Sequence, residues 1–577
     1  MKQKVTIIKT CLVGLLSGLM LGACSDFLSI SPLDKISMED FWNEKADVDN
    51  VVAGCYSNMQ SQAVVERMMA WGEFRSDNLV GGTNVEGNVN LMNIFKENIN
   101  GSNTYVKWGD FYNVINRCNL VLYYAPRVAE NDPNYTHGDL LATQAEVTAI
   151  RALMYFYLIR TFRDVPYITQ PFLDDNQKMD IPASAFDEVL DSLIQDLENV
   201  QTFAVKKYPV TKTYYQRGRI TQDAIHAMLA DMYLWKQDYA NAVRYADIVI
   251  EAKKAEYQED MSKKVGTLSE NEQLIDGYPL IGDKMTTGNY YGNAYQYIFG
   301  DGNSRESIFE LIFMDDEQML ANGAVGSYYG NGDTEVGVVR PADFISTDVT
   351  DEVFEVFLNK YDARYYENHH FGESNKPNGV RKYASPTASV DLTKAEIMSY
   401  NSVYYPNGLC HANWIIYRLT DVMLMKAEAM VEMANESDTT EYGKLHTDSL
   451  LQAAFAIVNT VNKRSNCSSE KELDKSQYAT QSLIRNLVMD ERQRELMYEG
   501  KRWFDLVRRS RREGNSSYLV GRVTRKGSSG GTSNADFLSH MDAIYWPYHN
   551  DELKVNGNLV QNPIFGSGEN ESYEQTK

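Results

Sequence analysis

The sequence predicts a mostly α-helical protein, in which stacked helical hairpins of the tetratricopeptide-like type are joined to a large irregular region. Two observations predict this fold class. In several long stretches, apolar residues recur every three or four positions, which is the spacing of one buried helix face. By contrast, residues 270–338 are rich in Gly, Asn, Asp and Tyr and carry no such pattern. We expect the hairpins to stack on one another and the insertions to gather on one side.

Helical spacing covers much of both ends of the chain, and turn residues separate one helix from the next. Asp164 and Pro166, for example, end the third helix. The expected helices are 48–60, 106–127, 145–162, 186–200, 221–235, 239–252, 421–433, 451–464 and 483–509. A strand is expected at 307–313, whereas 71–105 and 514–533 are expected to be irregular.

The helix pair 221–235 and 239–252 carries a repeat signal. Leu229-Ala230, Tyr233 and Ala242 fall at the spacing where tetratricopeptide repeats place their large, small, aromatic and small contacts. Small residues let two antiparallel helices approach closely, and the aromatic ring fills the cleft beside them. A second pair of similar design is expected from 421–433 and 451–464.

The first 24 residues predict an export signal with a lipid anchor. Lys2, Lys4 and Lys9 form a basic start, and the apolar stretch 11–21 is too short to span a bilayer as a stable helix. It ends in Leu-Gly-Ala-Cys, which resembles a bacterial lipobox. We therefore expect residues 1–23 to be removed and Cys24 to be acylated, giving a durable membrane anchor. The alternative is a short apolar helix belonging to the domain.

Charge and cysteine content narrow the class of protein. The net charge of −23 argues against nucleic acid and against electrostatic adhesion to anionic lipid. Cys55, Cys118, Cys410 and Cys467 can pair in three ways, but a chain of 577 residues does not need a disulfide scaffold. Without a CxxC or HExxH motif, no metal site or cofactor is expected.

Tyrosines in the irregular region are the main candidates for ligand contact. Sugars present apolar C–H faces and hydroxyl edges, so aromatic rings flanked by amides suit them. Tyr290, Tyr291 and Tyr295 lie among Gly and Asn residues, and Tyr328 and Tyr329 lie in a similar setting. Because no apolar stripe accompanies them, we expect these tyrosines at a ligand surface. Packing in the core is the alternative.

A second cluster of candidates lies near the first helices. It contains Trp71 together with Asp77 and Asn78, which are the preferred polar contacts there. Arg381, close to Tyr383, is part of a weaker third set. The alternative for Trp71 is that its ring packs the first helices together.

The helical stretch 483–509 carries charges at three- and four-residue steps. This spacing lets opposite charges pair along an exposed helix face, each pair contributing a few tenths of a kcal/mol. We interpret the run as scaffold rather than as paired catalytic carboxylates. Its members are Glu491, Arg492, Arg494, Glu495, Glu499, Arg502 and Asp505.

Several segments, taken together and in order, resemble the SusD/RagB family of Bacteroidetes outer-membrane lipoproteins. The resemblance covers nearly the whole chain, with a small departure at Arg163, where the family commonly has Gly. The segments include 24–28 (CSDFL), 41–42 (FW), 150–156 (IRALMYF), 164–166 (DVP), 305–310 (RESIFE), 418–429 (RLTDVMLMKAEA), 502–506 (RWFDL) and 558–563 (NLVQNP).

The resemblance implies a core of four tetratricopeptide-like units and a more irregular ligand-binding part. It also implies a partner, a SusC-like TonB-dependent outer-membrane transporter over which the protein sits as a lid. Residues 24–577 are then a single domain after the 1–23 signal. Its helical scaffold is expected at about 40–260 and 410–510, its loop-rich ligand-binding region at about 265–405 and its C-terminal segment at 511–577.

The function expected from these observations is non-catalytic capture of an oligosaccharide at the cell surface. Two alternatives remain, a peptide-binding lid of the same complex type and a lipid-anchored glycoside hydrolase. A hydrolase needs two carboxyl groups facing each other across a sugar, and the abundance of acidic residues gives no discrimination. The GxSxG match at 527–531 lacks the apolar strand of a nucleophile elbow, so we interpret it as a mobile loop.

Overall fold

The structure is a computed structural model of the chain. It describes residues 41–82, 85–173, 177–285, 289–314, 321–332, 335–345, 355–371, 376–391, 400–403, 405, 409–468, 472–527 and 531–566. The expected signal segment and Cys24 lie outside these residues, as do 528–530 of the GxSxG match.

Eleven of the described helices carry the scaffold. They are α1 Lys45–Met59, α2 Gln62–Met69, α3 Gly109–Asn131, α4 His137–Phe162, α5 Phe186–Val200, α6 Gln222–Lys236, α7 Tyr239–Ser262, α8 Leu419–Met433, α9 Glu441–Ser465, α10 Gln481–Leu496 and α11 Arg502–Glu513. Shorter helices are Val89–Phe95, Tyr215–Gly218, Asn293–Tyr295, Gly323–Tyr328, Ala363–Glu367, Ser517–Val523, Gly531–Ser539 and Asn550–Val555.

The described strands are short and pair in small antiparallel sheets. They are β1 Leu79–Gly81, β2 Val165–Pro166, β3 Ala183–Ser184, β4 Tyr290–Tyr291, β5 Ser307–Leu311, β6 Gly330–Gly332, β7 Glu335–Val336, β8 Val339–Pro341, β9 His369–Phe371, β10 Pro377–Val380, β11 Thr387–Asp391, β12 Tyr400–Val403 and β13 Trp414–Arg418. The pairs are β1–β8, β2–β3, β5–β13, β6–β7 and β9–β10, and β12–β11–β4 form a three-stranded sheet.

The helices form the expected superhelix. Along the chain, α3 packs on α4, α4 on α5, α5 on α6 and α6 on α7, and α7 then contacts α8, which packs on α9 and α10. At the α6–α7 contact, Ala230 and Ala242 are buried. The rings of Tyr233 and Tyr245 stack with centroids 5.7 Å apart. The small and aromatic residues therefore make the close helix contact that their spacing predicted. The mostly α fold class is confirmed.

Three expected helices are longer in the structure, since α4 begins at His137, α7 ends at Ser262 and α9 begins at Glu441. Three further sequence-based assignments are wrong. The expected irregular segment 71–105 contains a π-helical turn at Ala70–Phe74 and the helix Val89–Phe95. The expected helix 483–509 is two helices, because Tyr498 and Gly500 adopt positive φ values of 69° and 70° and break it. Residues 514–533, expected to be a flexible loop, include the helix Ser517–Val523.

The charged run does not form an exposed face, because all seven of its members are buried. Glu495 lies at its centre and accepts from three arginines that come from separate parts of the chain. Arg364 Nη1 lies 2.8 Å from Glu495 Oε2, and Arg418 Nη1 lies 2.6 Å from Oε1. Arg464 Nη2 contacts the same Oε1. Burial opposes ionisation of Glu495, but the three guanidinium groups outweigh it and hold its pKa well below the usual range.

Glu499 extends this buried network toward the irregular region. Its Oε1 accepts from Lys382 Nζ and Arg418 Nη2, both at 2.7 Å. Burial opposes ionisation here as well, yet the two cations lower the pKa of Glu499. We call Arg364, Lys382, Arg418, Arg464, Glu495 and Glu499 the buried ion network. It joins the irregular region to the helical scaffold, so the interpretation of the charged run as scaffold stands while its expected exposure is corrected.

Arg163 occupies a strained turn at the end of α4. Its φ of 70° and ψ of −76°, with Asp164 N donating to Phe162 O at 3.1 Å, define a three-residue γ-turn that favours glycine. The arginine also makes ion pairs, to Asp164 at 2.8 Å and to Asp542 at 2.6 Å. These pairs are partly exposed, so each is worth at most about 1 kcal/mol.

Replacing Arg163 by glycine and by alanine separates the strain from the ion pairs. Both variants lose the pairs, but only Arg163→Gly removes the strain. We expect Arg163→Gly to be about 1 kcal/mol more stable than Arg163→Ala in chemical denaturation, the reverse of the usual preference for alanine. Equal stability of the two variants would show that the turn is unstrained.

Candidate ligand-binding site

Seven of the nine candidate ligand residues lie in the interior. Of the two others, Tyr290 is 37% exposed and Tyr291 is half-buried. The buried seven are Trp71, Asp77, Asn78, Tyr295, Tyr328, Tyr329 and Arg381. Their side chains are therefore not accessible to a ligand, and the expectation that they lie at the surface is wrong. Ligand contact by the two others stays a prediction.

The cluster around Trp71 is buried because the π-helical turn Ala70–Phe74 carries it beneath the C-terminal helices. Trp71 Nε1 donates to Tyr105 O at 2.8 Å. The carboxylate of Asp77 accepts two hydrogen bonds from the guanidinium group of Arg502, of 2.8 and 2.9 Å. Asn78 Nδ2 donates to Glu73 Oε1 at 2.7 Å. The polar groups predicted to meet a ligand are thus satisfied inside the protein.

The buried tyrosines use their hydroxyl groups to tie distant segments together. Tyr295 Oη donates to the carbonyls of Arg381 and Ser385, both at 2.9 Å. Tyr329 Oη donates to Tyr498 O at 2.9 Å. Burial of a tyrosine ring is favourable when its hydroxyl group makes a hydrogen bond, and the hydroxyl groups of Tyr295 and Tyr329 both do. Arg381 is itself only 2% exposed.

Tyr290 and Tyr291 form β4, at the edge of the three-stranded sheet. Tyr291 is opposite Val390 and Tyr290 opposite Asp391. Consecutive strand residues face opposite sides of a sheet, which fits one exposed and one half-buried ring. Gly292 ends β4 with a φ of 119°, and a Cβ there would lie 1.7 Å from Ala388 O, so only glycine fits. The strand and this turn hold the ring of Tyr290 at the surface.

Tyr297 is a further exposed aromatic residue near the same sheet. It lies in the turn Gln296–Gly300, which contacts β11, and it is 43% exposed. We call the two exposed rings, Tyr290 and Tyr297, the tyrosine surface; Tyr291 faces the other side of the sheet and packs against the core. The two exposed rings offer apolar faces, and the amide-rich chain around them offers hydrogen-bonding groups.

A hydroxyl relay that sequence reasoning missed lies at the contact of α2 with the helix Gly323–Tyr328. Tyr328 Oη donates to Glu66 Oε1 at 2.5 Å and lies 2.7 Å from Tyr105 Oη. Asn88 Nδ2 donates to Tyr105 Oη at 3.1 Å, and Arg67 lies over the Tyr105 ring at 5.3 Å. Burial raises the pKa of both Tyr105 and Tyr328, so the hydroxyls stay protonated.

The relay ends at Glu66, whose side chain is 21% exposed. A carboxylate held in this way can accept hydrogen bonds from the hydroxyls of a ligand. No signal in the sequence marked Glu66, because a single acidic residue in the short, mostly apolar helix α2 forms no motif. Tyr328 was a candidate by itself, and the structure gives it the role of positioning this carboxylate.

Two negative findings apply to the described residues only. No group of three or more His, Cys, Asp or Glu side chains in this part of the chain is arranged to hold a metal ion. No helix in the described ranges is both long enough and apolar enough to cross a membrane.

Comparison with known proteins identifies the family. The model of the SusD family matches residues 327–565, and a second model, described as starch-binding associating with outer membrane, matches residues 26–234. The two models together match both ends of the chain, and members of this family are nutrient-binding proteins of the outer membrane. The chain belongs to the SusD/RagB family.

Curated relatives and solved structures agree with this assignment. SusD-like protein P38 of Formosa agariphila is 26% identical over 513 residues, covering 85% of this chain and 88% of its own. SusD-like protein P2 of the same organism is 23% identical, covering 94% and 97%. A SusD superfamily protein of Bacteroides thetaiotaomicron has the same fold, with a TM-score of 0.63 and 19% identity, covering 91% of this chain and 99% of its own.

The buried carboxyl group of Glu73 makes stability depend on pH. Burial raises its pKa to about 7, although Asn78 and the backbone N–H groups of Tyr498 and Lys501 partly oppose this. The folded state therefore keeps the proton up to about pH 7, whereas the unfolded chain releases it near 4.5. Between these values the folded state binds more protons, so stability falls as pH rises.

We expect this dependence to vanish in Glu73→Gln. Between pH 5 and pH 8, the free energy of unfolding of the wild type should fall by about 2–3 kcal/mol relative to that variant, as measured by urea denaturation. Asp551→Asn, at a side chain that is 63% exposed, is the control and should follow the wild type. Parallel curves for Glu73→Gln and wild type would rule out the raised pKa.

Proposed function

We propose that this protein is a non-catalytic, cell-surface oligosaccharide-binding lipoprotein that acts as the lid of a SusC-like TonB-dependent nutrient importer. Membership of the SusD/RagB family is the observation that carries the proposal. The family model that matches residues 26–234 bears a starch-binding description, which supports carbohydrate as the ligand class. The lipobox-like sequence ending at Cys24 supports a lipid anchor, and the description of the same family model supports association with the outer membrane.

The tyrosine surface suits an oligosaccharide. The ring of Tyr290 is exposed, while its backbone is held in β4 against β11, so little conformational freedom is lost when a sugar stacks on it. Tyr297 offers a second ring from the adjoining turn. Each contact is modest by itself, so we expect weak to moderate affinity that depends on several contacts at once.

Replacing Tyr290 by alanine should weaken glycan binding about tenfold, equivalent to about 1.4 kcal/mol, because the stacking face is lost. Tyr442→Ala is the matched control, since Tyr442 is 78% exposed but belongs to α9 of the scaffold. Affinity electrophoresis against a panel of neutral and acidic polysaccharides, followed by isothermal titration with the glycan that binds, measures both variants.

The same panel tests the proposal against its alternatives. Binding of oligopeptides with no binding of glycans would favour a peptide-binding lid. Release of reducing ends from a bound glycan would favour a hydrolase. Glycan binding that is equal in wild type, Tyr290→Ala and Tyr442→Ala would place the site away from the tyrosine surface.

A further inference from the structure

Two of the free cysteines in the described part of the chain lie against each other in the core. Cys55 belongs to α1 and Cys118 to α3, and they are 63 residues apart in the chain. Their Sγ atoms are only 3.9 Å apart. Both residues are fully buried. The fold therefore brings two thiols into contact at the packing of the first scaffold helix on the third.

Close packing of α1 on α3 fixes this contact. Gly54 precedes Cys55, and Arg117 precedes Cys118; a Cβ on Gly54 would lie only 3.0 Å from Arg117 Nη1. The small residue thus lets the two helices approach beside the thiols. A disulfide bond holds its sulfurs about 2.05 Å apart, so the two sulfurs have to approach by about 1.9 Å. A movement of this size is within what rotation about a Cα–Cβ bond provides.

The other two cysteines of the described residues have different partners. Cys410 Sγ donates to Tyr383 O at 3.4 Å, and Cys467 Sγ donates to Ser465 O at 3.6 Å. Each of these thiols therefore contacts a backbone carbonyl instead of a second sulfur. Of the ways in which the four cysteines can pair, contact in the structure supports only Cys55 with Cys118.

The order of the cysteines along the chain favours the same pair. Cys55 and Cys118 are the first two cysteines after Cys24, so they are the first to leave the cytoplasm together. Disulfide bonds form and persist outside the cytoplasm, where thiols meet oxidants. The inference rests on the export to the outer membrane that the proposed function includes.

Burial determines when the two thiols can react. The thiolate is the reactive form of cysteine, and burial raises the pKa of the Cys118 thiol well above its ordinary value. Neither sulfur is accessible once α1 has packed on α3. Oxidation therefore has to precede this packing, and the packed helices then shield the bond from reductants.

We propose that Cys55 and Cys118 are joined by a disulfide bond in the exported protein, and that the oxidant is a thiol oxidase with a reactive disulfide of its own. The thiolate of Cys55 attacks one sulfur of that disulfide, and the other sulfur leaves as a thiolate. The thiolate of Cys118 then attacks the Cys55 sulfur of the mixed disulfide and releases the oxidase. Two electrons pass to the oxidase, whose two sulfurs take up the two protons that the cysteines lose.

Thiol trapping of the protein purified from the outer membrane tests the proposal. The chain is unfolded in guanidinium chloride with N-ethylmaleimide, before and after reduction, and its peptides are analysed by mass spectrometry. We expect Cys410 and Cys467 to be alkylated without reduction, and Cys55 and Cys118 only after it. The same chain without residues 1–23, made in the cytoplasm, is the control and should be alkylated at all four without reduction.

Two variants assign the bond to its cysteines. Cys118→Ser releases Cys55, so the number of thiols alkylated without reduction should rise from two to three. Cys467→Ser is the matched control and should lower that number from two to one. A fall to one in Cys118→Ser would place the bond between the other two cysteines and overturn the proposal.

Two further outcomes separate this inference from the proposed function. Four thiols alkylated without reduction, in protein recovered from the outer membrane, would overturn the disulfide and leave the proposed function intact. Recovery of the protein from the cytoplasm alone would overturn the proposed location and the disulfide together.

Discussion

The buried carboxylate of Glu495 holds the two parts of the molecule in one arrangement. It joins Arg364, from the irregular region, to Arg418 at the end of β13 and Arg464 in α9. An unpaired charge at such depth is costly, typically about 3–5 kcal/mol when one partner is removed. Each arginine therefore has to reach the same point when the chain folds. Local helix preference does not supply a constraint of this kind.

This constraint determines what remains at the surface for ligands. Lys382 is buried and donates to Glu499, and the adjacent residue Arg381 is buried as well. The carbonyl of Arg381 then accepts from Tyr295, so that ring belongs to the core. Tyr290 lies on β4, beyond these contacts, and stays exposed. The buried ion network thus determines which tyrosines stay exposed and can contact a ligand.

Helices with strong periodicity could be predicted from sequence, and α5, Phe186–Val200, has the expected ends. The break after α10 was missed, although Gly500 is a residue that permits a positive φ. Burial of Tyr295 and Tyr329 could not be predicted, because a Gly- and Asn-rich neighbourhood describes the backbone and not what packs on the ring. Their partners lie 86 and 169 residues away, respectively. Such long-range contacts leave no local pattern.

Amide hydrogen exchange of wild type and Glu495→Gln tests the role of the network most directly. We expect peptides from α10, β13 and the helix Ala363–Glu367 to lose protection together, by about a hundredfold, because one carboxylate holds all three. Loss of protection confined to α10, with β13 and the irregular region unchanged, would show that Glu495 does not join the two parts.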